Sequence, residues 1–231
     1  MSILLEYKEV SVSGEGYEGG LRDVSLTLSS GEVLMVVTES RNLSLPLFDL
    51  AQGLEEPDEG SVCFDGTDWR QMKPGEQAAK RAETGRIFGP HEGAWLSNLD
   101  VDENVTLRVR HRGGQPEEAV HDEARQLAQK LGLEELPGKR PPAYGRDVLQ
   151  IGQSVRALLG GPRVLLAAYP LSFLHRDAQD RFIRLVCSRV EAGLAVIWLA
   201  QNASERNFFN KNARCFRYAD QTLMTYGEEH E

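Results

Sequence analysis

Residues that could perform acid–base chemistry are few in this sequence. The densest group is His175, Asp177 and Asp180. A histidine beside carboxylates can serve as a general acid and base, so this group is a candidate hydrolytic site. A polar helix start explains the same residues equally well, because acidic side chains stabilise the first turn of a helix. Both interpretations remain open at this stage.

Metal and redox chemistry find little support in the sequence. Its three cysteines are widely spaced and form no CxxC pair; they are Cys63, Cys187 and Cys215. Such cysteines are typical of reduced, small hydrophobic residues in a cytoplasmic protein. We therefore expect no metal and no cofactor.

Composition and charge narrow the class of protein. The chain has 231 residues and a formal net charge of −9, with 26 Lys+Arg against 35 Asp+Glu. Without a basic stripe, nucleic acid is a poor candidate partner. The longest apolar runs, Val33–Thr38 and Gly193–Gln201, fall far short of the roughly 18–20 residues that cross a membrane. Because Met1 to Val12 lacks the pattern of a signal peptide, we also expect no leader and no direct membrane insertion.

The pattern of apolar residues predicts one α/β domain spanning residues 1–231. Residues 1–30 and 60–66 read as an antiparallel β edge. The runs Glu32–Thr38 and Val164–Ala168 read as buried parallel strands, which we expect to be neighbours in one sheet. Ser44 is the expected N-cap of a helix after the first of them. The polar stretch from about 70 to 145 predicts a helical subdomain.

Several stretches in fixed order resemble the ATPase subunit of an ABC transporter over essentially the whole chain. They are LRDVSL (21–26) with SGEV (30–33), GLEEPDEGSV (53–62), GAWLSNLDVDENV (93–105) and residues 156–170. Within the third, GAWLSNL looks most like the ATPases of MCE-type lipid transporters. The resemblance implies a P-loop NTPase core with an antiparallel β subdomain and a helical subdomain.

The phosphate-binding loop of that family departs from its pattern here. A Walker A loop needs G-x-x-x-x-G-K-[ST], because glycine N–H groups close on phosphates, lysine neutralises them and a hydroxyl holds Mg²⁺. The aligned positions, counted back from GLEEPDEGSV, are Thr38, Leu43, Ser44 and Leu45. A lysine about 4 Å from a phosphate is worth on the order of 4 kcal/mol at an effective dielectric near 20. Glu39 adds an anion, which Arg41 could offset. Tight ATP binding is therefore not expected.

Five further motif positions also differ from the family pattern. They are Ala168 and Tyr169 for the Walker B carboxylates, Gly89 for the Q-loop glutamine, Gly145, Arg146 and Asp147 for the signature cradle, His175 for the D-loop aspartate, and Gln201 for the switch histidine. The resemblance with these losses predicts a degenerate pseudo-ATPase, not an enzyme, with a structural or regulatory role in a transport complex. Two alternatives remain: an atypical nucleotide hydrolase with a site relocated to His175, Asp177 and Asp180, and a free-standing soluble regulatory binding module.

The resemblance also implies partners. Related ATPases receive a cytoplasmic helix of the permease in a groove near the Q-loop, and we expect contacts from Phe88, Trp95, Leu96 and Leu99. Trp95 is the expected exposed anchor, whereas Leu96 and Leu99 could instead be core residues. We expect a heteromeric assembly with a permease subunit and possibly an intact ABC ATPase, which places the chain in the cytoplasm, peripheral to the inner membrane.

Overall fold

The computed structural model describes residues 2–13, 15–38, 43–90 and 92–226, without the side chains of 210–212. Its strands are β1 (Ile3–Val12), β2 (Leu21–Ser29), β3 (Val33–Thr38), β4 (Glu59–Phe64), β5 (Thr67–Asp68), β6 (Thr84–Ile87), β7 (Val164–Ala168), β8 (Ala195–Ala200), β9 (Ala213–Ala219) and β10 (Thr222–Thr225). Its α-helices are α1 (Leu47–Ala51), α2 (Pro74–Arg81), α3 (Val101–Arg112), α4 (Glu117–Leu131), α5 (Arg146–Leu158) and α6 (Arg176–Glu191). The helix expected over 204–211 is a 3₁₀ segment, Ala203–Asn212.

Two sheets organise the chain. One has the order β2-β1-β4-β5 and is antiparallel, as the sequence predicts. The other has the order β10-β9-β3-β8-β7-β6, and all of its strands are parallel except β10. In β3, Val33 and Met35 pack into one apolar cluster, while Leu34 and Val36 pack into the other. A continuous apolar run is what a strand buried on both faces requires.

The expected pairing of β3 with β7 is wrong. Both strands lie in the parallel sheet, but β8 separates them and pairs with each in parallel. All six residues of β8 are buried as well. Burial on two faces identifies a central strand without fixing the order of strands, because the side-chain pattern carries no information about neighbours.

The stretch predicted as a helical subdomain also contributes a strand to the main sheet. β6 pairs with β7 at the sheet edge. Gly85 allows this strand to approach α5, because a Cβ there would lie 1.9 Å from the carbonyl oxygen of Ala157. With only four residues, β6 is too short to give a clear apolar run. The helices α3 and α4 pack beside α5, as expected for a helical region.

Helix α1 begins later than predicted. Ser44 is not its N-cap; Pro46 occupies that position and makes no side-chain cap. The proline ring fixes a backbone φ suited to a helix start, and φ at Pro46 is −66°. The helix is five residues long, so it holds Phe48 and Asp49 close to the end of β3.

Candidate functional site

A small cavity, which we call the edge cavity, lies at the carboxyl ends of β3, β7 and β8. Its volume is about 310 Å³. Ligands of open parallel α/β sheets bind at this edge. The lining residues are Gly16, Glu18, Leu43, Ser44, Leu45, Phe48, Gly89, Glu92, Ala168 and Leu199. Five of the predicted motif positions, from three separate segments, therefore meet here: Leu43–Leu45, Gly89 and Ala168.

Tyr169 links the end of β3 to the segment that begins at Leu43. Its hydroxyl forms hydrogen bonds with Thr38 Oγ1 at 2.9 Å and the carbonyl oxygen of Leu43 at 3.0 Å. The side chain is 3% exposed, and burial raises the pKa of Tyr169 to about 12. Its φ of +47° is left-handed, a conformation that side chains other than glycine rarely adopt. The neutral phenol therefore links the end of β3 to Leu43, and we call this linkage the Tyr169 clasp.

Two carboxylates of the chain accept hydrogen bonds from backbone N–H groups around the edge cavity. Glu18 Oε2 accepts a hydrogen bond from the Ser44 N–H at 3.1 Å. Glu92 Oε2 accepts one from the Gly89 N–H at 2.7 Å. The N–H of Ser44 lies at the phosphate-loop position, where backbone donors bind phosphate in P-loop proteins. Here they already hold anions of the chain itself.

The described residues of the edge cavity do not fit a magnesium–nucleotide. Its lining contains two carboxylates and, among the residues that the structure describes, no cation. β7 ends on Ala168, which cannot ligate a metal, and Thr38 is 2% exposed. A phosphate would face the two carboxylates without a neutralising charge among the lining residues that the structure describes. Glu39 and Arg41 lie outside the described residues.

The positions aligned with the signature and the D-loop lie together on a second surface. Gly145 precedes α5, and Asp147 in the first turn approaches His175, with 3.6 Å from Oδ2 to Nε2. The Arg146 guanidinium lies over the Phe173 ring at 5.2 Å. The side chain of His175 is 86% exposed, and Gln201 follows β8 at the surface. Neither His175 nor Asp177 nor Asp180 lines the cavities described here, so the structure does not favour the relocated hydrolase.

A larger cavity, which we call the arginine groove, lies between α1, α2 and β6 on one side and α3 and α5 on the other. Its volume is about 1010 Å³. Five arginines line it: Arg81, Arg86, Arg108, Arg112 and Arg156. Apolar lining comes from Leu54, Ala78, Ala79 and Phe88. This groove is large enough for a segment of another protein.

Arg86 joins the two cavities. Its guanidinium pairs with Asp49 and, at 3.4 Å, with Glu92, and it lies 4.7 Å from the centre of the Phe88 ring. Asp49 also accepts a hydrogen bond of 2.9 Å from the Tyr17 hydroxyl. Tyr17, which could have been a base-stacking residue, is therefore tied to α1.

Two of the lining arginines are largely buried and donate to carbonyl groups. Arg108 reaches the carbonyl oxygens of Ala82 at 2.8 Å and Leu159 at 2.7 Å. Arg156 donates to the carbonyl of Ala94. Burial, and then the charge of Arg108, lowers the pKa of Arg156 to about 10. Burial and the neighbouring Arg112 lower the pKa of Arg108.

The predicted partner-binding residues differ in exposure from what we expected. Phe88 lines the groove, and Leu96 is 51% exposed. Trp95 is only partly exposed: it packs against the main apolar cluster and lies under the Arg156 guanidinium at 5.0 Å. The Asn104 side chain donates to the carbonyls of Leu96 and Leu99 and fixes this loop. Leu96, and not Trp95, is thus the exposed apolar side chain of this loop.

The sequence analysis did not identify the charged residues that line the two cavities, such as Glu18 and Arg156. Glu18 looked like part of a Gly-rich turn, and only the fold brings it to Ser44. Arg156 carried a usable signal, because it is a charged residue between the buried residues Val155 and Ala157 of α5. A buried arginine needs hydrogen-bonding partners, which marks its surroundings as a polar site.

Comparisons with known proteins show which proteins this chain resembles. No protein-family model matches it. It is 32% identical over 175 residues to the macrolide export ATP-binding/permease protein MacB 1/2 of Paracoccus denitrificans (strain Pd 1222), covering 75% of this chain and 26% of that protein. It is 29% identical over 196 residues to the methionine import ATP-binding protein MetN of Caulobacter vibrioides (strain ATCC 19089 / CIP 103742 / CB 15), covering 84% and 58% respectively. The chain thus spans about a quarter of the first relative and less than two thirds of the second.

Solved structures with the same fold are ATP-binding cassettes. The dimeric structure of MJ0796, described as a bacterial ABC transporter cassette, superposes with a TM-score of 0.81 at 20% identity, covering 95% of this chain and 96% of that one. A post-hydrolysis state of MJ0796 bound to ADP and Pi gives a TM-score of 0.80 at 21% identity, with the same coverage. In the part of the chain that the structure describes, no helix combines the length and hydrophobicity of a membrane span.

These comparisons contradict the prediction of a pseudo-ATPase that is not an enzyme. The relatives are named ATP-binding proteins of export and import systems, and a cassette of this fold is described after hydrolysis. The prediction took single motif positions as decisive, whereas the similarity extends over most of the chain. The narrower resemblance to MCE-type ATPases stays a prediction. In sequence the chain is related to the ATP-binding domains of ABC transporters, and it has their fold.

Proposed function

We propose that the chain is the cassette component of an ATP-dependent membrane transport assembly. Its relatives carry the names of an ATP-binding/permease protein and an ATP-binding import protein. In such an assembly the chain contacts a permease on one side and a second cassette on the other. The permease holds it at the cytoplasmic side of the inner membrane.

The observation that carries this proposal is the arginine groove. It is open, has a volume of about 1010 Å³, and lies where the family resemblance implies the contact with a permease helix. Phe88 lines the groove, and Leu96 projects from the loop just beyond it. Leu99 supports this loop through Asn104. We assign the permease contact to these residues, with Trp95 positioning Arg156.

The motif positions outside the groove form the proposed face toward a second cassette. Gly145, Arg146, Asp147 and His175 lie together there, and MJ0796 is described as dimeric. We propose that the chain pairs with a second cassette through this face, and that ATP-driven transport depends on both cassettes.

Purification of the assembly from membranes tests this function. The tagged chain is extracted in mild detergent from the cells that make it, and associated proteins are identified by mass spectrometry. We expect a permease with membrane-spanning helices, a second cassette, and ATP hydrolysis by the complex that is lost when this chain is absent. Recovery of the chain without any membrane protein would support the free-standing module instead.

A matched pair of variants tests the contact surface. Leu96→Asp puts a charge on the exposed apolar loop and should reduce permease recovery by at least tenfold, since apolar anchors dominate such interfaces. Met224→Asp does the same on β10, where Met224 is 37% exposed, and should leave recovery unchanged. Equal recovery with both variants would remove Leu96 from the interface.

A further inference from the structure

Four of the five groove arginines have no carboxylate partner within the described residues. Arg86 pairs with Asp49 and Glu92, and the groove carboxylate Glu83 pairs with Lys80 and Arg163. The ion pairs of the described chain include none for the other four, which are Arg81, Arg108, Arg112 and Arg156. The lining therefore holds five arginines against three carboxylates, Asp49, Glu83 and Glu92, and carries a net positive charge in a chain whose net charge is −9.

Two of these arginines are buried close to like charges. Arg108 and Arg156 donate to neutral carbonyl oxygens, which satisfy hydrogen bonds without cancelling charge. Nη2 of Arg156 is buried and has no hydrogen-bond partner among the described residues. Arg112 stands at the rim, at the end of α3. An anion in the groove would relieve this repulsion, because Coulomb interactions strengthen when charges are shielded from water.

The groove also has an apolar side and a volume that suit a helix. Leu54 is 58% exposed and lies with Phe88, Ala78 and Ala79 along the lining. A helix about 10 Å across occupies about 420 Å³ per turn, so a cavity of about 1010 Å³ accommodates about two turns. Two turns place carboxylates at positions i and i+4 on one face and apolar residues on the other.

We infer that the arginine groove binds an acidic amphipathic helical segment of the permease, whose carboxylates pair with Arg108, Arg112 and Arg156. This inference rests on the proposed function and adds the chemistry of the partner. The arginines select by charge and register, while Leu54 and Phe88 contact the apolar face. A neutral or basic segment would leave the guanidinium groups unpaired, which is the basis of discrimination.

A peptide panel tests the charge requirement on the full chain. The probe is a capped 14-residue helical peptide with a leucine stripe on one face and two glutamates at i and i+4 on the other. Matched peptides carry glutamine or lysine at both positions. Binding is measured by fluorescence anisotropy at low and high salt. We expect the glutamate peptide to bind at least tenfold tighter than the glutamine peptide, the advantage to shrink at high salt, and the lysine peptide to bind weakest.

Protein variants locate the effect in the groove. Arg112→Glu should weaken the glutamate peptide at least fivefold, and Arg112→Gln should weaken it less. Arg184→Glu reverses an exposed charge on α6, outside the groove, and should change nothing. Thermal melting of each variant confirms that it is folded.

Three results would overturn the inference. They are equal binding of the glutamate and glutamine peptides, no binding of any peptide, and equal weakening by Arg112→Glu and Arg184→Glu. If one of these occurs while the permease still co-purifies and responds to Leu96→Asp, the acidic segment is wrong and the proposed function stands. Loss of the permease itself would count against the proposed function.

Discussion

The edge cavity and the arginine groove are adjacent and opposite in character. In the edge cavity, the chain's own carboxylates hold backbone N–H groups, and Tyr169 clasps the surrounding segments. In the arginine groove, four guanidinium groups lack carboxylates among the described residues, and the space is about three times larger. Glu92 lines both cavities and pairs with Arg86 of the groove. The polar groups of the edge cavity are hydrogen-bonded to one another. The groove, in contrast, has guanidinium groups without ion pairs, and a partner's carboxylates can pair with them.

The largest effect should come from opening the edge cavity. Tyr169→Ala removes a buried aromatic ring and both hydrogen bonds of its hydroxyl, so we expect the free energy of unfolding to fall by about 3–5 kcal/mol. Urea denaturation measures this change. Tyr226→Ala, at an exposed tyrosine, should change stability by less than about 0.5 kcal/mol. A loss below about 1 kcal/mol for Tyr169→Ala would show that the clasp does not hold this edge.

Removing a buried groove arginine should cost less. Arg156→Met leaves the Ala94 carbonyl without its donor and removes the cation from the Phe88 and Trp95 rings, at an expected cost of about 1–3 kcal/mol. Arg184→Met, an exposed arginine on α6, serves as the control and should be close to neutral. If Arg156→Met stabilised the chain, charge repulsion in the groove would outweigh these contacts.

Tyr169→Phe measures the contribution of the hydroxyl to stability apart from that of the ring. It keeps the packing and leaves Thr38 Oγ1 and the Leu43 carbonyl without the phenol, which should cost about 1 kcal/mol. Urea denaturation beside Tyr169→Ala gives the comparison. If Tyr169→Phe costs as much as Tyr169→Ala, the clasp acts through its hydrogen bonds; if it costs nothing, only the ring matters.

The smallest effect should come from the ion pairs of Asp65 with Arg163 and Lys80. Hydrogen bonds from Arg163 and Lys80 lower the pKa of Asp65 from 3.8 to about 2. A lowered folded-state pKa stabilises the fold above the unfolded value, and this stabilisation is lost as pH falls through about 2. Asp65→Asn should cost less than about 1 kcal/mol near pH 7, because the pair is partly solvated. The difference from wild type should shrink between about pH 4 and pH 2 in urea titrations, whereas Asp122→Asn on exposed α4 should show little difference.

Much of the fold follows from residue patterns. The apolar runs of β3 and β7 predict buried strands, and the alternation of residues 1–30 predicts the antiparallel edge. Strand order escaped prediction because β8 has the same buried pattern as its neighbours. β6 was missed because its four residues carry no distinctive run, and Gly85 shows its role only against Ala157.

The site was less predictable than the fold. Sequence alignment of motifs brought Leu43–Leu45, Gly89 and Ala168 to one edge, where the structure also has them. The exposure of Leu96 and the partial burial of Trp95 depend on α5 and Asn104, which lie elsewhere in the chain. The charge excess of the groove arises from arginines on α2, β6, α3 and α5, and only the fold assembles them.

Photo-crosslinking from the groove tests the central claim most directly. A benzoylphenylalanine in place of Leu54 lies on the apolar side of the arginine groove, and one in place of Phe208, 38% exposed on a different surface, is the control. In the assembly purified from membranes, the Leu54 position should crosslink to a cytoplasmic segment of the permease that contains at least two acidic residues. The Phe208 position should not crosslink to that segment. A neutral or basic crosslinked segment, or no crosslink to the permease, would contradict the account.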